Sequence, residues 1–270
     1  MIIYHYCSLN SFINITKSKM LWMSSLRHMN DPFETKIGLD IISELLYDVF
    51  PELRNRIDWD RINNEYFLGC SFSLNGDVLS QWRAYTDNGN GFSLGFNSEK
   101  LSNCNKEDDY KGLKIPNRHS LDKIFYNKDD FCSHVNNYLT DYRAEYGIPS
   151  EETSYPKKKL SKFLHSLFRL SCFYKDSFYA EEKEIRYIVP SSRKLIINPI
   201  MKEDKEFDFR ASDIGLTPYS KLKIAKNEIH AIEEIVLGPK NESIIQDIEL
   251  FMNINGFHNI QIYKSKGNYR

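Results

Sequence analysis

Apolar and polar positions change period several times along the chain, and each change predicts an element. Ile2–Cys7 (IIYHYC) is an apolar and aromatic run that reads as a buried strand. Ser8 follows as the N-cap of a helix of about ten residues through Lys17, with Leu9, Phe12, Ile13 and Thr16 on its inner face. Met20–Ser24 (MLWMS) is a second buried strand, so the chain opens strand, helix, strand. His5 interrupts the first strand; a lone histidine there is commonly a satisfied core residue, but Tyr4 and Tyr6 surround it with a polar-aromatic cluster that a plain core lacks.

The loop Ser25–Glu34 (SLRHMNDPFE) is dense in hydrogen-bonding groups, and Pro32 biases Asp31 toward an extended turn. It is either a rigid cap for the next helix or a functional loop at a strand exit that presents Arg27 and Asn30. Ile41–Asn64 reads as two helical segments broken at Pro51. Tyr66–Ser73 (YFLGCSFS) is a strand carrying Ser71 and Ser73 on one face, closed by an Asn75-Gly76-Asp77 turn. Leu79, Trp82 and Tyr85 then fall at helical spacing, with Trp82 reading as a core anchor and Arg83 as a site residue. A strand over Phe92–Phe96 follows, and after a weakly patterned stretch, Asn127–Tyr146 and Pro156–Phe173 read as two long helices. Lys157–Lys159 is a solvated first turn or a local basic patch. The C-terminal third alternates short strands (Leu195–Ile197, Phe207–Ala211, Leu222–Ile224, Ala231–Leu237, Ile260–Tyr263) with one helix, Glu242–Asn253.

Between the second long helix and those strands lies SFYAEEKEIRYIVP, with a Glu-x-Glu-x-Arg alternation at Glu182, Glu184 and Arg186. On a strand these three share one face, while Ile185, Tyr187 and Val189 take the other. Carboxylates about 7 Å apart along a strand, beside a guanidinium, can stabilise a cationic or hydroxyl-rich substrate. They can equally be a solvated strand face with an ordinary ion pair.

Composition narrows the function. The 36 Lys and Arg nearly balance the 37 Asp and Glu, so no global field draws the chain to nucleic acid or an anionic membrane. No apolar run approaches the ~20 residues of a membrane span and no signal-peptide pattern opens the chain, which predicts a cytoplasmic protein without a membrane partner. The 5 cysteines have no C-x-x-C pair, which predicts reduced, mostly buried thiols and no metal site. Gly-rich phosphate loops, G-x-S-x-G and H-E-x-x-H are absent from the sequence.

The segments YHYCSLNSF, LWMSSLRHMNDPFE, SQWRAYTDNGNGFSLGF, FYAEEKEIRYIVP, AIEEIVLGPK and YKSKGNYR, in that order over nearly the whole chain, resemble the bacterial domain-of-unknown-function family 2971. The opening YHYCSLNSFINITKSKMLWMS is also similar to that of ADP-ribosyltransferases acting on nucleic acids or removing RNA 2′-phosphate. That second resemblance implies that NAD is the substrate, with His5 on the nicotinamide ribose and Glu184 at the ribose C1′. Glu182 would orient the acceptor, and Tyr85 or Ser71 would stand at the nicotinamide. Arg27, Arg83 or Arg186 would meet the pyrophosphate.

The expected fold is therefore α+β in a single domain over residues 1–270, a split or strongly bent mixed β-sheet with helices outside, ADP-ribosyltransferase-like. The expected function is an NAD-using enzyme that transfers ADP-ribose to a nucleic acid or protein acceptor, or hydrolyses NAD, as a toxin or phage-defence effector. The alternative is a non-catalytic nucleotide or nucleic-acid binding module. The expected catalytic residues are Glu184 and Glu182, and Tyr4, His5, Arg27, Asn30, Ser71, Arg83, Tyr85 and Arg186 are expected to bind the dinucleotide. His5, Arg27, Arg83 and Glu184 come from four separated segments and should meet in one pocket.

Overall fold

The computed structural model describes residues 1–26, 34–59, 66–105, 120–149, 157–191, 208–212 and 215–267. The opening unit is strand β1 (Ile2–Cys7), helix α1 (Leu9–Ser18) and strand β2 (Met20–Ser25). The Ser8 hydroxyl accepts from the Ser11 amide at the start of α1, and Lys19 in the left-handed region (φ 57°) ends it. The inner face of α1 is Phe12, Ile15 and Thr16, whereas Leu9, expected inside, is exposed on the first turn.

The sheet is mixed and has ten strands among the described residues, and its shape follows from how strand β3 (Tyr66–Ser73) is shared. Strand β6 (Glu184–Ser191) pairs with β3 along its full length, from Tyr66↔Ser191 to Ser73↔Glu184. A strand has two edges, so β1 and β2 must both use the other one. They hold it at opposite ends, β1 through Tyr4↔Ser73 and β2 through Ser24↔Gly69 and Ser25↔Leu68. Both run antiparallel to β3, so between those ends they compete for one stretch of edge and splay apart. The sheet is therefore forked. Its stem is β3, β6 and β5 (Ser120–Lys123). One arm continues from β1 through β4 (Phe92–Asn97) and β11 (Ile232–Leu237) to β12 (Gln261–Lys264), the last pair parallel. The other continues from β2 through β8 (Gly215–Lys223) to β7 (Asp208–Ser212). The two-residue strands β9 (Ala225–Lys226) and β10 (Ile229–His230) form a separate small ladder.

One face of the stem (Leu68, Cys70, Phe72, Ile185, Tyr187) joins the main core with Phe12 and Ile15 of α1 and Ile248 and Met252 of the C-terminal helix Ile245–Ile254. The opposite face meets a helical layer. Its helices are α2 (Glu34–Val49), with a 3-10 turn at Pro51–Leu53, and the long helices Lys128–Tyr146 and Lys157–Ser171. Ile42, Leu46, Phe50, Val135, Phe163 and Leu167 form the centre of that layer. Leu39, Phe67, Phe168 and Ile188 join it to the stem. The break at Pro51 falls where expected, but the second helical segment expected after it does not form over 54–58, where the chain turns; its remainder from 60 to 64 lies outside the described residues, as does the strand expected at Leu195–Ile197. All five cysteines are free, and four are buried. Among the described residues no helix is long and apolar enough to cross a membrane.

The helical layer lies close against itself. A Cβ added at Gly38 of α2 would stand 2.4 Å from the backbone oxygen of Ser171. Alanine would favour the helix by about 1 kcal/mol, but the clash is with backbone and can be relieved only by separating two helices, at about 1–3 kcal/mol. Gly38→Ala should therefore lower the thermal midpoint by a few degrees, although alanine raises helix propensity. Calorimetry on the two proteins decides it: an unchanged or raised midpoint would show that the helices are not in backbone contact.

Candidate functional site

The gap between the arms opens onto a cavity of about 1260 Å³ lined by β1, α1, β2, β3, the short helix Leu79–Tyr85, the turn before β6, β6 itself and Arg210 of β7. Drug-sized ligands occupy pockets of about 300–1,000 Å³, so this one has room for a dinucleotide.

Its stem wall is a buried ion cluster. Glu184 (4% exposed) and Arg186 (0%) alternate on the face of β6 that turns toward the helical layer, opposite Ser73 and Ser71 of β3. Oε1 of Glu184 accepts from the Ser71 hydroxyl (2.6 Å) and from Arg186 Nε (2.8 Å) and its terminal nitrogen (2.8 Å). Oε2 accepts from Lys175 Nζ (3.2 Å), and the backbone amide of Glu184 donates to the Tyr126 hydroxyl (2.9 Å). The other end of the guanidinium donates to the Cys172 carbonyl (2.6 Å), at the C-terminal end of the helix Lys157–Ser171. Burial alone would raise the Glu184 pKa, but the charges of Arg186 and Lys175 and the hydrogen bonds from Arg186 and Ser71 outweigh it and hold the carboxyl at about 2. Glu184 is thus an ionised, fully engaged acceptor.

Glu182 differs. The chain forms a 3-10 turn over Ser177–Glu182 and turns through Lys183 in the left-handed region (φ 44°) before β6 begins at Glu184. The expected Glu-x-Glu-x-Arg strand face is therefore corrected: only Glu184 and Arg186 share it. Glu182 reaches the cluster from the turn, accepting from Lys175 Nζ (2.5 Å) and from the Tyr85 hydroxyl (3.3 Å), with 20% of its side chain still exposed. The Ser73 hydroxyl donates to the Glu182 carbonyl and the Leu74 amide to the Lys183 carbonyl, which clasps the turn to the end of β3.

The opposite wall is β1. By strand parity Tyr4, paired with Ser73, lies on the Glu184 side of the seam, and His5 lies on the core side, edge-on to Phe72 and 3.8 Å from the Cys70 sulfur. His5 meets the cavity through the gap, where its Nδ1 contacts the Ser71 carbonyl at 3.1 Å, in the place a strand amide would fill. A carbonyl only accepts, so Nδ1 carries the hydrogen. Burial lowers the ring's pKa against the opposing pull of that hydrogen bond, and the neutral ring keeps Nε2 as an acceptor. Ser71 bridges the walls: its carbonyl takes His5 and its hydroxyl gives to Glu184.

Tyr4, His5, Ser71, Arg83, Tyr85, Glu182, Glu184 and Arg186 all line this cavity. Arg27 and Asn30 lie outside the described residues. The reading of the Glu184 face as solvated is overturned, because the helix Lys157–Ser171 covers it. Trp82 is a core anchor, 1% exposed, packed edge-on against Tyr6 with its indole N–H on Asp77. Sequence reasoning missed Lys175, the cation shared by both glutamates; its signal was a lone lysine in the connection from the apolar helix to the acidic pair. It also missed Trp22 and Arg210, which line the cavity from β2 and β7. Among the described lining residues, the cations Lys17, Arg83, Lys175, Arg186 and Arg210 face the acids Asp87, Glu182 and Glu184. The cavity therefore favours an anion.

A family model described as "Protein of unknown function (DUF2971)" matches residues 81–187, a narrower span than the resemblance along the whole chain implies. That span holds Arg83, Tyr85, Lys175, Glu182, Glu184 and Arg186 but not Tyr4, His5 or Ser71. No curated protein and no solved structure matches the chain.

Removing the Glu184 charge takes a buried carboxylate away from Arg186 and leaves Lys175 its bond to Glu182, and breaking a buried pair costs about 3–5 kcal/mol. The sign with pH follows from a lowered folded-state pKa: the stabilisation is present above the ordinary glutamate range and lost as pH falls toward about 2. Glu184→Gln should be the less stable protein at pH 7, and the gap should shrink as pH drops from about 4.5 toward about 2. Urea unfolding of both proteins across that range tests this; parallel stability curves would remove Glu184 from the ion cluster.

Proposed function

We propose that the cavity in the fork binds NAD and that the chain is an ADP-ribosyltransferase-like enzyme, transferring ADP-ribose to a macromolecule or to water. The observation that carries this reading is the convergence, on one large cation-rich cavity, of the half-buried carboxylate of Glu182 with the His5–Ser71–Glu184 bridge. Anion-binding cations suit a pyrophosphate, and a carboxylate beside the sugar suits the positive charge that develops at C1′ as the bond to nicotinamide breaks. In that step the C1′–N bond breaks, its electron pair leaves with nicotinamide, and the acceptor's oxygen or nitrogen bonds to C1′ and loses a proton. A forked sheet with the ligand between its arms belongs to this proposal and supports an ADP-ribosyltransferase-like fold.

Within it, the two glutamates divide the work. Glu184 has both oxygens taken, so it positions Lys175 and Arg186, while Glu182 is the carboxylate with surface left to face the sugar. A second reading, a non-catalytic nucleotide-binding module, is favoured by the same saturation of Glu184. It keeps the cavity and dispenses with the chemistry.

Nicotinamide release from NAD, with and without cell extract as acceptor source, separates the two. Glu182→Gln leaves Lys175 paired to Glu184, so its melting temperature should stay near that of the native protein, while turnover falls by about 100-fold or more. A dinucleotide-induced rise in melting temperature without release from either protein would select the binding module. No thermal shift with NAD near its millimolar range would sink the enzyme reading, and a clear shift with an oligonucleotide in its place would favour the binding module.

A further inference from the structure

The strand β2–β8–β7 arm carries an aromatic and cationic surface that the reading above leaves unused. Leu21, Met23 and Leu222 turn into the core, so Trp22 and Ser24 of β2 and Tyr219 and Lys221 of β8 share the opposite face, with Arg210 of β7 beside them. Trp22 packs on Tyr219 with ring centroids 4.6 Å apart, yet 46% of it remains exposed. The Arg210 guanidinium lies 5.8 Å from the Trp22 centroid and donates to the Ser24 hydroxyl (3.2 Å), while its Nε is buried with no hydrogen-bond partner among the described residues. Lys221 stands over Tyr219 at 5.9 Å. Asp208, the acid on this face, is engaged by the Tyr219 hydroxyl and by Lys221. Trp22, Ser24 and Arg210 also line the cavity, so this surface is continuous with it rather than a separate patch.

We propose that Trp22 and Arg210 form a nucleobase-stacking subsite, with the indole taking the base face and the guanidinium the adjoining phosphate. An exposed indole flanked by cations has the chemistry for a planar, phosphate-bearing base, since every base offers a π-face and Arg adds both charge and a planar surface. The base can come from the adenine end of a dinucleotide or from a single-stranded nucleic acid. The first source rests on the NAD reading, and the second does not.

Calorimetric titration of the full chain with NAD, AMP, nicotinamide mononucleotide and a short oligothymidylate resolves them, using Trp22→Ala and Trp22→Phe beside the native protein. The side chain points away from the core, so neither substitution should unfold the chain. If adenine is the ligand, Trp22→Ala weakens NAD and AMP by about ten- to a hundredfold, leaves nicotinamide mononucleotide unchanged, and Trp22→Phe stays near native. If a nucleic acid is the ligand, only the oligothymidylate loses affinity, and this outcome holds even where NAD fails to bind at all. NAD binding that is indifferent to Trp22, with no Trp22-dependent oligothymidylate binding, would leave the NAD reading standing and overturn the subsite. Equal weakening of NAD and nicotinamide mononucleotide, or no binding of any of the four by the native protein, would overturn it too.

Discussion

One edge of one strand has to serve two partners, and the cavity is the geometric result. Full-length pairing of β3 with β6 leaves a single edge for β1 and β2, and both approach it in the same direction. Neither can take the whole edge without expelling the other, so each keeps one end and Cys70, Ser71 and Phe72 are left between them without a ladder on that side. Unpaired backbone groups in a sheet are costly unless something else satisfies them. His5 answers this at Ser71, which gives it a fixed tautomer as a by-product of completing the strand. Structure and candidate chemistry therefore share a cause here: the group that repairs the split is also one that lines the cavity.

The stem below the fork holds charge where apolar residues would be cheaper. Buried ion pairs offer little net stability over well-packed apolar residues of similar volume, though removing one partner is severe. Lys175, Glu182, Glu184 and Arg186 balance one another, and each recorded contact fixes an element: Arg186 to the end of the helix Lys157–Ser171, Glu182 and Lys175 to the turn before β6, Ser71 to β3. The cluster is specific in geometry in a way that an apolar contact is not. It holds the turn that presents Glu182 to the Tyr85 hydroxyl of the short helix Leu79–Tyr85.

Local signals were legible in the sequence, as was the burial of apolar runs and of Trp82, whereas burial imposed on polar residues by distant elements was not. Ser8 marked the start of α1 because a cap is a contact three residues away, and the alternation Glu184–Arg186 marked a shared strand face because parity is a property of the backbone. The extension of that alternation to Glu182 failed because Lys183 adopts a left-handed conformation, which lysine shows no composition signal for. That the Glu184 face is dry depends on a helix that ends at Ser171 and donates nothing to the local pattern. The orientation of His5 was illegible for the same reason: Tyr4 and His5 alternate in sequence, but which one meets Glu184 depends on where β1 leaves β3. Lys175 lies outside any periodic element and is found only through its two partners.

The self-balanced stem also determines where ligand affinity must come from. Lys175 and Arg186 are matched against Glu182 and Glu184; the other charged groups lining the cavity among the described residues are Lys17, Arg83, Arg210 and Asp87. The cations among these belong to α1, the short helix after β3, and β7, so the attraction comes from the arms and their attachments rather than from the stem. Those groups stand around the gap on the arms and their attachments, while the stem holds the carboxylates and the His5–Ser71–Glu184 bridge in place. Separation of arm spacing from site geometry is what a forked sheet permits and a continuous sheet does not, because in a continuous ladder every change in strand spacing would break hydrogen bonds along its whole length.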